Sequence, residues 1–324
     1  MRKLVIQKAV EDIIETNKTF ELSTAVIRNV EYTVFKNVPL TLPDMLRQSS
    51  AAHDHGNADY LVYQDERWTY DEFCTDVKRA AWYMQRDLNV AKGVRVAIAM
   101  RNYPDLLISK MAIASLGATV VFLNAWWTTQ ELDYALSDSG AKIVFVDGPR
   151  AKRLKPLQSS HGVNIVGVRE AASDFASGYT AEMAGPVDQD WPRADIDVDD
   201  DFAIMYSSGT TGHPKGVVQT HRGAISAVYT WLMQTPLAEL LTPASDPPVP
   251  QPLRPAILVV SPLFHVTATH PDVFAQPTRW SKGLPDVQMG CRKRSTSYWG
   301  RKNYEIFRRS NTVSRFNGCG PSNG

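Results

Sequence analysis

The segment VRVAIAMRNYPDLLISKMAIASLGATVVFL, residues 94–123, decides the fold class. It begins with a short β-rich run, Val94–Met100, and ends with another, Thr119–Leu123. Between them, Pro104 opens a helical stretch at a first-turn position, where proline costs no helical hydrogen bond. Strand, helix of about a dozen residues and strand, in this order, predict a parallel βαβ unit.

The same alternation extends on both sides of this unit. Upstream, residues 70–88 place apolar side chains at helical spacing. These side chains are Phe73, Val77, Ala80, Ala81 and Met84. Downstream, Thr128 and Glu131 have the spacing of a capping box that opens another helix. Further strand-like runs are residues 142–147, 163–168 and 202–206. The sequence therefore predicts an α/β fold with layered parallel-sheet βαβ units.

Three regions depart from this pattern. Residues 1–45 mix short amphipathic runs with polar breaks, and we predict an N-terminal extension with a helix. Residues 171–201 are polar and acidic, which indicates a surface excursion. Residues 236–255 hold seven prolines, too many for a regular element, and predict an extended loop between a helix at 224–233 and a strand at 256–261.

Composition bounds the function. With 324 residues, 44% hydrophobic and 21% charged, the chain is globular in type, and its net charge of +1 argues against nucleic acid as a partner. Its three cysteines are odd in number and widely spaced, so they indicate neither a disulfide framework nor a zinc site. The first residues make a poor signal peptide, and no stretch approaches the ~20 apolar residues of a membrane span. We expect a soluble, cytoplasmic protein with no transmembrane segment.

Residues 205–217, MYSSGTTGHPKGV, carry the chemistry. Gly209 and Gly212 permit positive φ angles and let backbone N–H groups approach a ligand, where successive amides form an anion nest. Hydroxyl groups add hydrogen-bond donors, and Lys215 adds a compact positive charge. Together these groups suit a polyphosphate. The predicted phosphate-binding residues are Ser207, Ser208, Gly209, Thr210, Thr211, Gly212, Lys215 and Gly216.

A flexible surface loop is the alternative for this segment, and the order of its residues argues against it. The order is not Walker A, because no Gly-Lys-Ser or Gly-Lys-Thr occurs. Residues 206–216, YSSGTTGHPKG, closely resemble the phosphate-binding signature of the adenylate-forming superfamily, which includes acyl-CoA synthetases, luciferases and nonribosomal peptide adenylation domains. Residues 94–104 and 123–128 look like stretches of the synthetases that activate fatty or aryl acids. The resemblance covers roughly residues 40–278.

The segment SPLFH, residues 261–265, is similar to the family's next core motif, whose histidine lies near the acyl pocket and thioester channel. A satisfied core histidine is the alternative for His265. Its distance after the phosphate loop and the preceding Pro-Leu-Phe favour the acyl/CoA channel. We predict that Trp126, Trp127 and Trp231 pack in the fold rather than bind ligands.

The resemblance implies an ATP-dependent acyl-CoA synthetase. Such an enzyme joins a carboxylic acid to ATP, releases pyrophosphate, and transfers the acyl group of the acyl-adenylate to coenzyme A. ATP, Mg²⁺ and CoA are thus the implied cofactors and co-substrates, with residues 207–212 and Lys215 clasping the β- and γ-phosphates. The implied domains are an N-terminal extension (1–45), a partial AMP-binding domain (46–278) and a divergent basic tail (279–324).

Later motifs of the family do not follow. Residues 266–324 contain no Tyr-Gly-x-Thr-Glu-like segment, whose glutamate helps bind Mg²⁺, and no Thr-Gly-Asp-like segment, whose aspartate holds the ribose. The lysine of the family's C-terminal domain is also absent. Catalytic and metal-binding residues are therefore unknown, and we expect this chain to be inactive alone. The alternatives are a split ligase with a missing-half polypeptide, a noncatalytic nucleotide-binding remnant, and an unstable fragment of a disrupted gene.

The tail from Arg279 differs in composition from the rest. It holds ten of the 35 basic residues and two of the 34 acidic ones, which leaves positions 1–278 with 25 basic and 32 acidic residues. We hypothesise that a disturbed reading frame or a mis-spliced gene model produced this tail; an uninterrupted transcript encoding it would contradict the idea. A solvated face and a nucleic-acid or membrane-binding tail are the alternatives.

Overall fold

The computed structural model describes residues 2–51, 59–171, 173–175, 177–179, 190–192, 194–207, 213–241, 256–269 and 286–289. Helices and strands in these ranges follow in chain order. They are α1 (Arg2–Thr16), β1 (Leu22–Ile27), β2 (Val30–Phe35), α2 (Leu42–Ala51), β3 (Asp59–Tyr63), β4 (Glu66–Thr69), α3 (Tyr70–Leu88), β5 (Arg95–Ala99), α4 (Pro104–Ser115), β6 (Thr119–Phe122), α5 (Thr129–Ser139), β7 (Ile143–Val146), α6 (Gly148–Leu154), α7 (Gln158–His161), β8 (Asn164–Val168), β9 (Ser177–Tyr179), β10 (Asp201–Ser207), β11 (Lys215–Thr220), α8 (His221–Leu241), β12 (Ala256–Val259), α9 (Val266–Ala268) and β13 (Asp286–Met289).

A seven-stranded sheet forms the centre of the fold and confirms the predicted α/β class. Its strand order is β11-β10-β6-β5-β7-β8-β9. All neighbouring strands are parallel except β11, which runs antiparallel to β10 at one edge. A second sheet has the order β12-β13-β3-β4, and β1 and β2 form a separate antiparallel hairpin.

Both faces of the central sheet are buried along its five inner strands, β10, β6, β5, β7 and β8, as expected for parallel strands covered by helices. Alternate residues of β5 point to opposite faces: Val96 and Ile98 join one apolar cluster, and Ala97 and Ala99 join the other. Helices α3, α4 and α8 contribute to the first cluster, and α5 and α6 to the second. The sheet is thus the middle layer between two helical layers.

Helix ends follow their local sequence. The predicted capping box of α5 is present: the Thr128 hydroxyl accepts from the backbone of Glu131, whose carboxylate accepts in return from the backbone of Thr128. Thr69 and Glu72 form a second capping box at the start of α3. No helix in the described part of the chain is long and apolar enough to cross a membrane.

Two predictions need correction, one for the N-terminal extension and one for the region at 171–201. The extension at 1–45 holds the predicted helix but also the β1–β2 hairpin. The region at 171–201 is not only a surface excursion, because β9 adds a strand to the sheet. Burial explains this pairing: Tyr179 packs against Tyr83 with ring centroids 5.4 Å apart, and the Tyr83 hydroxyl donates to the Gly178 carbonyl at 3.3 Å.

The predicted end of α8 is also wrong. The helix continues through Pro236 to Leu241, where the sequence predicted an extended loop. A proline inside a helix removes one hydrogen bond and crowds the preceding turn. Here the apolar side chains of Leu232, Met233 and Leu237 pack against the core, and this packing offsets the local cost. Residues 242–255, the rest of the predicted loop, lie outside the described residues.

Candidate functional site

Three neighbouring parallel strands, β10, β6 and β5, deliver functional segments to one edge of the sheet. Their carboxyl ends meet there because the strands are parallel. Strand β10 ends at Ser207, β6 leads into the segment of Trp126, and β5 leads to Asn102. In open α/β sheets, this edge is where ligands bind.

The two described ends of the predicted phosphate loop stand opposite each other at this edge. Ser207 closes β10, Lys215 opens β11, and the two residues are register partners. The Ser207 hydroxyl donates to the Lys215 carbonyl at 3.4 Å. Both residues are exposed, as is Gly216. The predicted residues Ser208, Gly209, Thr210, Thr211 and Gly212 lie outside the described residues.

Helix α5 anchors the base of this β10–β11 turn. The Tyr134 hydroxyl donates to the Pro214 carbonyl at 3.1 Å, and the Tyr134 ring stacks on His213 with centroids 4.8 Å apart. The Tyr206 hydroxyl donates to Oδ2 of Asp138 at 2.7 Å. Burial, together with the neighbouring Asp138 carboxylate, raises the pKa of Tyr206, so this hydroxyl remains a neutral donor. These contacts fix where the loop leaves and re-enters the sheet.

Gly216 lies at a close approach between β11 and the side chain of Ile204. A Cβ at this position would lie 3.0 Å from Cγ2 of Ile204 and 3.5 Å from Oδ2 of Asp138. Ile204 is itself buried against the second face of the sheet. The sequence assigned Gly216 to the phosphate loop; the structure places it one residue into β11, where it lets the strand pass over Ile204.

The segment of His265 is tied to the end of β5 by Asn102. The Asn102 amide donates to the Ser261 carbonyl at 2.8 Å, and its carbonyl oxygen accepts from the Leu263 backbone at 2.9 Å. His265 follows at the start of α9, with its side chain exposed to solvent. Partial removal of water around the ring lowers the pKa of His265 below 6.5, which favours the neutral imidazole.

An aromatic row runs from the end of β6 to His265. Trp126 meets Phe264 edge to face with centroids 5.2 Å apart, and Phe264 lies 4.6 Å from the His265 ring. Trp127 is buried, as predicted for a packing residue, and contacts Tyr206. Trp126 is 59% exposed and Trp231 45%, so these two indoles are only partly packed against the fold.

A buried ion pair, missed by the sequence analysis, joins the loops at the same edge. Asp147 follows β7 and pairs with Arg150 at 2.9 Å. The Asp147 carboxylate also accepts from the Arg101 backbone at 3.1 Å, and Nε of Arg150 donates to the Ala125 carbonyl at 2.8 Å. The pair therefore links the chain segments that leave β5, β6 and β7. An aspartate directly after a strand and two residues before a proline was the available signal.

The described residues contain no group of three or more His, Cys, Asp or Glu side chains that could hold a metal ion. Hydroxyl and ammonium groups stand at the two ends of the predicted loop, and neutral aromatic side chains lie at the ends of the adjacent strands.

The fold and this edge define an α/β protein of the class that binds ligands at the carboxyl ends of its parallel strands. Within that class, the chain belongs to the AMP-binding enzyme family, whose sequence model matches residues 48–276. The matched region corresponds to the N-terminal part of the adenylate-forming superfamily, as its solved neighbours show.

The relatives and solved structures to which this chain is similar include acyl-CoA and aryl-CoA ligases. The long-chain-fatty-acid–CoA ligase FadD13 of Mycobacterium tuberculosis is 30% identical over 231 residues, 71% of this chain and 42% of the relative. The 4-coumarate–CoA ligase 3 of Oryza sativa subsp. japonica is 33% identical over 163 residues, 50% of this chain and 29% of the relative. The chain thus spans less than half the length of these curated relatives.

Among solved structures, the inhibitor-bound N-terminal domain of FACL13 from Mycobacterium tuberculosis superposes with a TM-score of 0.61 at 27% identity, covering 78% of this chain and 58% of that one. A Mycobacterium tuberculosis fatty acyl CoA synthetase gives a TM-score of 0.63 at 26% identity, covering 80% and 46%.

Proposed function

We propose that this chain binds the polyphosphate of ATP at the β10–β11 turn, as the nucleotide-binding part of an acyl-CoA-synthetase-type ligase. The reaction is formation of an acyl-adenylate from a carboxylic acid and ATP, with release of pyrophosphate, followed by thioester formation with CoA. The observation that carries the proposal is the pairing of Ser207 with Lys215 at the carboxyl edge of the sheet. This pairing brings both ends of the glycine-rich segment to one place.

Charge is the main obstacle to this chemistry. A carboxylate must approach the α-phosphorus of a highly anionic nucleotide, so fixed donors must hold the leaving pyrophosphate. The Lys215 ammonium supplies one such group. The Ser207 hydroxyl, which donates to the Lys215 carbonyl at 3.4 Å, would supply a second by turning to a phosphate oxygen, and residues 208–212 would supply the remaining backbone and hydroxyl donors. Mg²⁺ would share the phosphate charge when bound. The described residues hold no preformed metal cluster, so we assign no metal ligands here.

His265 and Trp126 suit an acyl and thiol channel beside the nucleotide. The imidazole is favoured in its neutral form by its lowered pKa, so it places no positive charge beside an apolar acyl group. The exposed indole of Trp126 extends the same row of rings. Aromatic faces of this kind bind apolar or aromatic acyl groups through buried area.

For the chain by itself, we propose ATP binding rather than complete ligation. The Tyr-Gly-x-Thr-Glu-like and Thr-Gly-Asp-like segments are not found in residues 266–324. Ligation would then need polypeptide that supplies those segments, and a noncatalytic nucleotide-binding protein is the second candidate. Calorimetric titration with ATP and Mg²⁺, followed by an assay for pyrophosphate release with added acid, distinguishes the two.

The decisive comparison is Lys215→Ala against Lys142→Ala. Lys142 is an exposed lysine at the opposite, amino edge of the sheet, just before β7. A charge-assisted contact contributes roughly 1.5–3 kcal/mol, so Lys215→Ala is expected to weaken ATP binding about ten- to a hundredfold. Lys142→Ala is expected to bind like the unaltered chain. Equal affinities of the two folded variants, or no saturable binding at all, would contradict the proposal.

A further inference from the structure

Residues 261–265 form a compact turn that ends at His265. The His265 N–H donates to the Pro262 carbonyl at 3.1 Å, and the Thr269 hydroxyl donates to the His265 carbonyl at 3.0 Å. Leu263 is fully buried, whereas the side chain of His265 is exposed. The two hydrogen bonds join residues of the same short stretch, so they set the shape of the turn and not its place on the central sheet.

Asn102, three residues after the end of β5, supplies directional contacts between this turn and the central sheet. Its amide donates to the Ser261 carbonyl at 2.8 Å, and its carbonyl oxygen accepts from the Leu263 N–H at 2.9 Å. Only this orientation of the planar amide satisfies both partners, since one is an acceptor and the other a donor. Burial of Leu263 also holds the turn to the fold, but apolar burial is non-directional. Asn102 therefore fixes the orientation of the turn.

The other end of the aromatic row is fixed by two arginines. Arg153 donates from Nη2 to the Ala125 carbonyl at 3.2 Å and from Nη1 to the Trp127 carbonyl. Nε of Arg150 donates to the same Ala125 carbonyl at 2.8 Å. The carbonyls on both sides of Trp126 are thus held, while the indole stays largely exposed. The fold presents this ring to solvent in a fixed place.

We propose that Asn102 is a positioning residue for recognition of the carboxylic acid. By fixing the turn, it keeps Phe264 and His265 beside Trp126, so that the three rings form a preformed wall for an apolar or aromatic acyl group. This inference rests on the proposed function, which places the acyl group along the row. Phe264 lies 5.2 Å from the Trp126 ring and 4.6 Å from the His265 ring, so displacement of the turn opens the row at its centre. A preformed wall binds without the cost of ordering its side chains.

The binding test uses the purified full chain, with dodecanoate and cinnamate as acid probes and ATP with Mg²⁺ titrated separately. Asn102→Ala is expected to weaken acid binding about tenfold, because the acid must then order the turn. ATP affinity is expected to stay within about twofold, because contacts from α5 position the β10–β11 turn. Asn102→Asp keeps the shape of the side chain and the acceptor for Leu263, and it turns an oxygen towards the Ser261 carbonyl. It is expected to weaken acid binding as well.

The matched control is Asn164→Ala, since Asn164 opens β8 at the opposite, amino edge of the sheet. It is expected to bind both acids and ATP like the unaltered chain. Calorimetry of the folded variants gives the affinities. Urea unfolding of each variant shows whether it is folded under the conditions of the titration.

A readout without ligand separates positioning from general stabilisation. Partial removal of water lowers the pKa of His265, and this environment depends on the place of the turn. By histidine NMR, the pKa of His265 is expected to rise towards 6.5 in Asn102→Ala and to be unchanged in Asn164→Ala. Hydrogen exchange at the Leu263 N–H is expected to accelerate. A residue that only stabilises the chain would lower the unfolding free energy and leave both signals of the folded state unmoved.

The outcomes separate this inference from the proposed phosphate turn. Unchanged acid affinity or an unchanged His265 signal in the folded Asn102→Ala chain would overturn the inference. Equal losses of acid and ATP binding would also overturn it, because Asn102 would then support the whole edge of the sheet. If no chain binds either acid, the acyl channel and this inference both fail. Acid binding that depends on Asn102, with no ATP binding by any chain, would refute the phosphate turn alone.

Discussion

Gly216, just after the β10–β11 turn, gives a testable prediction about the packing of β11 against the sheet. Gly216→Ala would place a Cβ 3.0 Å from Ile204, which is held in a packed face of the sheet. Overpacking of this kind costs typically about 1–3 kcal/mol of unfolding free energy. Gly223→Ala is the control, because its Cβ would meet Thr220 at an ordinary 3.5 Å and alanine favours the helix. Denaturant unfolding of both variants tests this; equal stabilities would contradict it.

His221 predicts a dependence of stability on pH. This first residue of α8 is fully buried, its ring lies against Phe202 of β10, and Nδ1 accepts from the Leu42 backbone at 3.3 Å. Burial lowers its pKa from 6.5 to about 4, against the opposing pull of Asp200 and Asp44. Below pH 6.5 the unfolded chain therefore takes up a proton that the folded chain does not, and stability is lost as pH falls towards 4.

The size of this pH dependence follows from the difference between the pKa of His221 in the folded chain and in the unfolded chain. Between pH 7 and pH 5, His221 is expected to remove about 2 kcal/mol of unfolding free energy. His221→Asn retains an acceptor for the Leu42 backbone without titrating in this range. Urea unfolding at the two pH values should therefore show a loss smaller by about that amount in the variant. An identical loss in both proteins would mean that other groups carry the pH dependence.

Residue-scale prediction from sequence succeeded where one local segment carries the chemistry. The order of residues 206–216 was enough to assign the family. It failed where partners are distant in the chain. Asn102 holds a segment about 160 residues away, and the Asp147–Arg150 pair organises three separate loops. No single-sequence period encodes such contacts, because their partners meet only after the sheet has formed.

Among the elements, α8 shows tertiary packing overriding local propensity. Proline in a helix interior is unfavourable by about 3 kcal/mol relative to alanine, yet α8 continues past Pro236. Pro236→Ala is expected to raise the unfolding free energy by about 1–3 kcal/mol, because the packed face is kept and the missing N–H is restored. Gln234→Ala, an exposed change in the same helix, should stay within about 0.5 kcal/mol. Destabilisation by Pro236→Ala would show that the helix depends on the proline geometry.

The strands that were predicted from the sequence differ from those that were missed in how continuous their apolar residues are. Strands β5, β6, β7 and β8 are buried on both faces, so their continuous apolar runs stand out in the sequence. Strands β11 and β9 and the β1–β2 hairpin lie at edges or outside the sheet, and their residues are mixed in polarity. Such strands form because a partner strand is already in place. The sequence analysis therefore identified the centre of the fold and missed its margins.

For the whole molecule, the carboxyl edge of the sheet depends on a buried charge pair. Asp147 and Arg150 are both buried, and their contacts join the loops after β5, β6 and β7. Breaking such a pair leaves an uncompensated buried charge, at a cost of roughly 3–5 kcal/mol. Arg150→Met, which keeps much of the side-chain length, is therefore expected to lower the unfolding free energy by about that amount and to weaken ATP binding through the displaced loops.

The matched control is Arg47→Met. Arg47 pairs with Asp44 at the same three-residue spacing and at 2.6 Å, but each side chain is about one-third exposed. A pair of this kind contributes about 0–1 kcal/mol, because solvent screens the charges. Guanidinium unfolding of both variants, with ATP titration of each folded chain, separates the two cases. If Arg150→Met and Arg47→Met lose similar amounts of unfolding free energy, burial does not determine how much an ion pair contributes to stability. The edge of the sheet at the β10–β11 turn would then be held in place by the apolar layers alone.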